Sequence, residues 1–465
     1  MSYPLGVVGG ERDYDYWLTM LVIPFISRIS LSQQYIMLFK RTSRIAVIVV
    51  VLAVASVILN HPLMIQHATA QPSIKDPTLK AESTVSGLSS PTSMAFLDNN
   101  QILVLEKGGQ VRLVSNGQLQ PQPVLQVSVN TESERGLLGI ATMPGGGSQG
   151  GSSSGGGGKN TTTVFLYYTE ADPLRNRVYK YQWNGQSLVN PTLILDLPAE
   201  PGPNHDGGKL AIGPDGYLYA IIGELNHNGK LQNIKDGPNP DDTGVIFRVN
   251  PADGSPAKNN PFANDNNQAM HKYYAYGIRN SFGIAFDPIT GNLWETENGE
   301  NTYDEINLVK PGFNSGWKII MGPLSRGSGV TENDLVSFLG SHYTDPVFSW
   351  LKPVAVTAIE FMKSSKLGPN YQNNVFVGDY NDGNLYFLML NKDRTGIGLD
   401  SNQQSAGLSD LVVDNENELN AVNLGNGFNS ITDIKTGPDG MLYVLSFGDG
   451  SIYRISPASS ASSSQ

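Results

Sequence analysis

The chain has 465 residues, with 51 glycines, 28 prolines and only 16% charged residues, a balance that favours turns and short strands over long helices. A formal net charge of −11 with no basic stripe argues against nucleic acid as a partner. The absence of cysteine excludes disulfides, thiolate metal sites and cysteine nucleophiles.

The apolar stretch Trp17–Ile26 is too short to span a bilayer. Lys40, Arg41 and Arg44 then precede the apolar run IAVIVVVLAVASVIL (Ile45–Leu59), and Ala68-Thr69-Ala70 follows. A basic segment, an apolar core and an A-x-A site together form a secretory signal, with Met37 as a conventional start. An uncleaved anchor is the other reading. Either way the protein is expected to be secreted or extracytoplasmic, touching a membrane only through that segment. The expected partition is a leader over 1–70, a linker over 71–83, a folded body over 84–457 and a disordered tail over 458–465.

From Thr84 onward one pattern recurs: an apolar strand, a tight turn rich in Gly, Asn and Asp, then a second strand. It occurs at Met94–Glu106, Leu210–Gly223, Ile284–Glu297, Val375–Leu390 and Ile434–Ser446. A sixth, degenerate copy at Leu138–Thr169 is interrupted by the Gly/Ser-rich stretch 145–158, which reads as a flexible loop. Gly and Asn or Asp supply the positive φ that tight hairpins need. The segments Val111–Val114, Arg177–Trp183, Val245–Val249 and Ser451–Ile455 read as strands that close each repeat. Repeated multi-strand units predict an all-β fold, a six-bladed β-propeller of four-stranded antiparallel blades.

Three loops carry candidate chemistry. The turn PGPNHDGG (Pro201–Gly208) sets His205 between Asn204 and Asp206, with two glycines leaving room for a ligand. Isolated loop histidines are usually only solvated, and His227, His271 and His342 fit that description. Arg279-Asn280, ahead of the strand Gly283–Phe286, offers fixed donors for a carbonyl or carboxylate, or an ordinary salt bridge. The segment ETENGENTYDEIN (Glu295–Asn307) crowds Glu295, Glu297, Glu300, Asp304 and Glu305. Hard oxygen ligands at that density suit calcium, although EF-hand spacing is absent and a solvated acidic loop is the plain alternative. No G-x-S-x-G, Walker or H-E-x-x-H motif is present.

At these residues the sequence resembles the soluble glucose/sorbosone dehydrogenase family of quinoprotein aldose sugar dehydrogenases. The matching segments are GLLGIA (Gly136–Ala141), NHDGGKLAIGPDGYLYAIIGE (Asn204–Glu224) and GIRNSFGIAFDP (Gly277–Pro288). ENGENTYDEINLVKPGFNSGW (Glu297–Trp317), GDYNDGNLY (Gly378–Tyr386) and ITDIKTGPDGMLYVL (Ile431–Leu445) follow in the family's order. The resemblance implies a six-bladed propeller holding pyrroloquinoline quinone (PQQ) and calcium at the channel mouth. It makes His205 the base for the anomeric hydroxyl of an aldose or oligosaccharide, and Arg279 the group that polarises the quinone. Glu134, Asn280, Asn381 and Thr432 become cofactor-binding positions. Gly299 and Glu300 become carbonyl ligands of the cofactor's calcium, and Glu305 a ligand of a second, structural calcium. An external acceptor would take the electrons.

The chain departs from the family's pattern at several of these positions. Asn381 stands where family members carry lysine, and Ser430 and Thr432 where they carry arginines that bind the cofactor's carboxylates. Lys209, Arg135 and Lys435 are the nearby cations that could substitute. Glu134 replaces a neutral amide and Glu224 a shorter acid. Two other readings stay open: a non-redox, calcium-containing propeller that binds carbohydrate or a protein, and a calcium-dependent propeller lactonase.

Overall fold

The computed structural model describes residues 71–145, 161–327 and 329–458. The leader with its signal or anchor run, residues 146–158 of the Gly/Ser stretch and nearly all of the tail lie outside the described residues.

The repeated hairpins form as their turns dictate. At Gly213–Tyr217 the Gly213 N–H donates to the Tyr217 carbonyl at 2.9 Å, and Gly216 adopts φ +79°. The same bonds recur at Gly437–Met441, where Gly440 takes φ +80°, so two Gly-Pro-Asp-Gly sequences build one turn. Each turn sets an apolar first strand against a second, as in Leu210–Ile212 with Leu218–Ile222.

Six sheets result among the described residues, and the fold is all-β and propeller-like. Their first strands are Pro91–Phe96, Leu137–Met143, Leu210–Ile212, Gly283–Phe286, Val356–Phe361 and Ile431–Thr436. Each of these adjoins the next in that order, and the last adjoins the first, so they form a ring around an axis. The core lies between neighbouring sheets. Met94, Val104, Leu445 and Ile452 meet at one such junction, and Trp294, Phe361 and Tyr386 at another. Leu79–Val85 pairs antiparallel with Ser451–Pro457, so the last sheet includes strands from both ends of the body.

Several expectations need correction. The sheets carry four to six strands rather than a uniform four, because short edge strands add on, some of them parallel. The stretch 71–83 is no linker: Ser73–Ile74 pairs with Gly425–Asn426, and Leu79–Val85 begins within it. The pattern at Val375–Leu390 supplies the second and third strands of its sheet, and Val356–Phe361 is the first. The strands expected to close each repeat are third strands, with further strands outside them, such as Leu188–Leu197 beyond Leu174–Trp183.

The first strands all run the same way along the axis. Thr92, Leu138, Thr357 and Thr432, at their starts, line one cavity. Phe96, Thr142, Ile212, Phe286 and Thr436, at or near their ends, line another. Between the two cavities three sheets meet in a buried polar cluster. Lys209 Nζ lies 2.6 Å from Asp433 Oδ1, while Ser93 Oγ and the Met94 N–H donate to Asp433 Oδ2 at 2.8 and 2.9 Å. Burial alone would raise the Asp433 carboxyl, yet Lys209 and Lys435 hold it down to about 2. Burial lowers Lys209 to about 8. The pair is strongly interlocked, because either charge alone would be left buried without compensation.

Candidate active site

The cavity at the strand starts has a volume of about 430 Å³. His205, Arg279, Glu134, Asn280, Asn381 and Thr432, six of the nine expected site residues, line it. Gly299, Glu300 and Glu305 do not. Gly299 neighbours the lining residue Asn298, Glu300 is exposed, and Glu305 is buried behind the wall.

His205 stands just before the strand Leu210–Ile212, in the left-handed region at φ +65°. Two contacts hold it there. Its own N–H donates to Glu134 Oε2 at 2.6 Å, and its ring Nδ1 is hydrogen-bonded to Glu224 Oε1. Glu224 sits just after the strand Leu218–Ile222, and its N–H donates to the Arg279 carbonyl at 2.9 Å. Hairpin and neighbouring sheet thus fix the carboxylate that fixes the ring. A carboxylate accepting Nδ1–H leaves Nε2 unprotonated in the neutral ring, the form a base requires.

The rest of this wall is equally tied. Asn280 Nδ2 donates to Glu134 Oε2 at 3.0 Å, so one carboxylate oxygen joins the His205 backbone to the Arg279-Asn280 turn. The Arg279 N–H donates to Glu297 Oε1 at 2.6 Å, and its Nη1 to the Asn298 carbonyl at 2.8 Å. The Arg279 guanidinium lies 5.2 Å from the centre of the Trp317 ring. Asp206 is buried behind His205, where Asn176 Nδ2 donates to its Oδ1 at 3.0 Å. Burial, assisted by Glu134, pushes its carboxyl up to about 7.

The opposite wall is uncharged. Ala355, Thr357, Tyr380, Asn381, Thr432 and Phe447 form it, with the Tyr380 and Phe447 rings edge to face at 5.6 Å. The Thr432 hydroxyl donates to the Pro91 carbonyl at 2.8 Å. Ser430 does not line the cavity. Nor do the three cations expected to substitute there. Arg135 is buried against Glu132 and the Ala199 carbonyl, Lys209 is held by Asp433, and Lys435 faces the other cavity. Long side chains follow the nearest acid, and those acids lie elsewhere.

The acidic segment divides in two. Glu295 and Glu297 sit two apart on Leu293–Glu297, and register sets Glu297 opposite Glu305 and Glu295 opposite Asn307. Three buried carboxylates therefore share one sheet face. Burial first, then mutual repulsion, raises Glu295 and Glu305 to about 8 and holds Glu297 well above its ordinary value. Asp304 points the other way and accepts N–H groups from Gly299, Val354, Ala355 and Val356. Gly299 is required sterically, since a Cβ there would lie 2.0 Å from the Tyr303 carbonyl oxygen.

Fit to the two implied cofactors can be judged from these groups. Arg279 Nε, Asn280 Oδ1 and Asn298 Oδ1 are buried on lining residues without hydrogen-bond partners among the described residues, which suits a polar guest. The flanking aromatic rings and the volume suit a flat one. For calcium, Glu295 Oε2 is also buried and unpartnered among the described residues, and the donors are hard oxygens. No three acidic or histidine side chains among the described residues converge as a ready metal cage, so backbone carbonyls would have to contribute.

Sequence reasoning missed Lys107, Phe282, Tyr380 and Phe447 in the lining, and the role of Glu224. Glu224 was legible as the end of the His205 hairpin. Phe282 and Tyr380 lie within the segments Gly277–Pro288 and Gly378–Tyr386, where nothing singled them out, whereas Lys107 and Phe447 belong to no motif and only the ring brings them to the cavity.

The profile of the family described as Glucose / Sorbosone dehydrogenase matches residues 88–454. The aldose sugar dehydrogenase YliI of Escherichia coli K12 is 27% identical over 389 residues, covering 82% of this chain and 93% of that protein. A glucose dehydrogenase-type oxidoreductase of Thermus thermophilus superposes with a TM-score of 0.63 at 28% identity, over 81% of this chain and 99% of that one. The PQQ-bound aldose sugar dehydrogenase of Streptomyces coelicolor shares the fold, with a TM-score of 0.59 at 24% identity over 83% and 99% of the two chains.

Proposed function

Because the chain belongs to the glucose/sorbosone dehydrogenase family, we propose that it is an exported six-bladed propeller that oxidises the anomeric C1–OH of an aldose or oligosaccharide to the lactone. The observation that carries this reading is the Glu224–His205 pair on the cavity wall, a base pre-set in tautomer and orientation.

His205 Nε2 accepts the hydroxyl proton while hydride leaves C1, and Glu224 stabilises the imidazolium that forms. PQQ, when bound, supplies the two-electron acceptor for that hydride, and an external acceptor carries the electrons onward. Arg279 and Asn280 would hold the quinone edge, with the Tyr380–Phe447 side packing its apolar face. Calcium would sit near Gly299 and Glu300, with Glu305 serving a second ion in the buried carboxylate cluster. Glu134 locks the His205 backbone to Asn280 and so keeps base and cofactor donors in register.

The uncharged wall at Asn381 and Thr432 favours one other reading, a non-redox propeller that binds carbohydrate or a protein with calcium as a structural ion. Reconstitution with calcium and PQQ separates the two. Dye reduction that depends on added aldose is expected. No reduction, with no quinone absorbance retained after gel filtration, would leave the non-redox reading.

A further inference from the structure

Lys107 follows the second strand of its sheet, Gln101–Glu106, and its backbone is held on both sides. Its N–H donates to the Ser90 carbonyl at 3.0 Å, and its own carbonyl accepts the Leu137 N–H at 3.1 Å. The half-buried side chain lines the cavity, where Nζ donates to the Thr131 carbonyl at 2.7 Å. Among the described residues no carboxylate oxygen lies within ion-pair distance of it. Every other lysine or arginine named above near the axis has an acid or is otherwise engaged: Lys209 and Lys435 hold Asp433, Arg135 holds Glu132, and Arg279 bonds the Asn298 carbonyl. Burial holds the Lys107 ammonium below the usual lysine value, with Asp206 and Glu134 pulling against that effect. A partly desolvated ammonium beside one backbone acceptor has donor capacity to spare.

We propose that Lys107 is the carboxylate anchor of this cavity, pairing with a carboxylate of the bound quinone from the sheet that adjoins that of Thr432. This rests on the quinoprotein reading above. It moves the main cationic contact from the sheets of Asn381 and Thr432 to that of Lys107, so a carboxylate of the ligand faces Lys107 Nζ. The Tyr380–Phe447 wall then takes the uncharged part of the ring system.

The test is PQQ binding to the calcium-loaded full chain, followed by tryptophan quenching and by absorbance retained after gel filtration, independently of turnover. Losing one charge-assisted hydrogen bond predicts that Lys107→Gln binds roughly 10- to 100-fold more weakly. Lys107→Arg should stay within about threefold of wild type, since it keeps the charge. The melting temperature of the unliganded Gln variant should match wild type. Wild-type affinity should fall as salt rises, and fall less in the Gln variant. Equal affinity of wild type and Lys107→Gln overturns the proposal. If the Gln variant does not fold, salt-independent binding by wild type overturns it instead. Wild-type protein that binds no quinone removes the quinoprotein reading itself, and the anchor with it.

Discussion

In the proposed reaction His205 would serve as base because its neighbours hold its ring in place. Glu224 takes one ring nitrogen and Glu134 takes the backbone N–H, so the ring is held in one direction. His205→Ala is expected to lower kcat by on the order of 10²–10⁴-fold without moving the melting temperature. Glu224→Gln should also lower kcat, with KM nearly unchanged, because an amide can support the wrong tautomer. A Glu224→Gln enzyme with wild-type kcat would show that the pair is only structural. Asp206, next in the chain, behaves differently. Its folded carboxyl keeps a proton up to about 7, against an ordinary value of 3.8. Between those values the folded state holds a proton that the unfolded chain releases. Its contribution is therefore fully present below 3.8 and is lost as pH rises through about 7. Asp206→Asn should flatten the fall in stability across that window, as read by thermal melts at a series of pH values. An unchanged slope would place the proton elsewhere. The sequence showed His205 and Arg279 because each lies in a glycine-rich turn ahead of a strand. It could not show Lys107 or Phe447, which follow the repeats Met94–Glu106 and Ile434–Ser446 directly but carry no signal of their own that they face the cavity.

At the level of elements, hairpin turns were the readable feature and strand roles were not. The Asn-Asp-Gly turn at Asn381–Gly383 joins second and third strands, whereas the Gly-Pro-Asp-Gly turns join first and second. A turn's residues report its local backbone and nothing about its distance from the axis. Register explains the acidic segment in the same way. Cross-strand pairing places Glu295, Glu297 and Glu305 on one buried face, which linear spacing could not distinguish from a solvated loop. Without a cation these groups repel, so Glu305→Gln should melt at or above the wild-type temperature when calcium is chelated. Added calcium should stabilise wild type and do so less in the variant. Equal calcium stabilisation of both would remove Glu305 from the ligand set.

At the scale of the whole molecule, the ring is closed by non-covalent pairing between the two ends of the body. Leu79–Val85 lies against Ser451–Pro457, so a chain lacking residues 79–85 exposes a long strand edge and the apolar junction beneath it. Such a deletion is expected to be insoluble or to lose cooperative unfolding, while the full chain unfolds in one transition. Soluble, cooperative behaviour of the deletion would mean that the ring closes without this strand. The polar cluster on the axis has a consequence for traffic. Lys209, Asp433 and Ser93 are buried and bonded to one another between the two cavities, and a ligand beside His205 that cannot pass them leaves the way it came. A cofactor lying deeper than the sugar would therefore have to arrive first and depart last. Binding would follow a compulsory order, in which a saturating sugar slows exchange of the group beneath it.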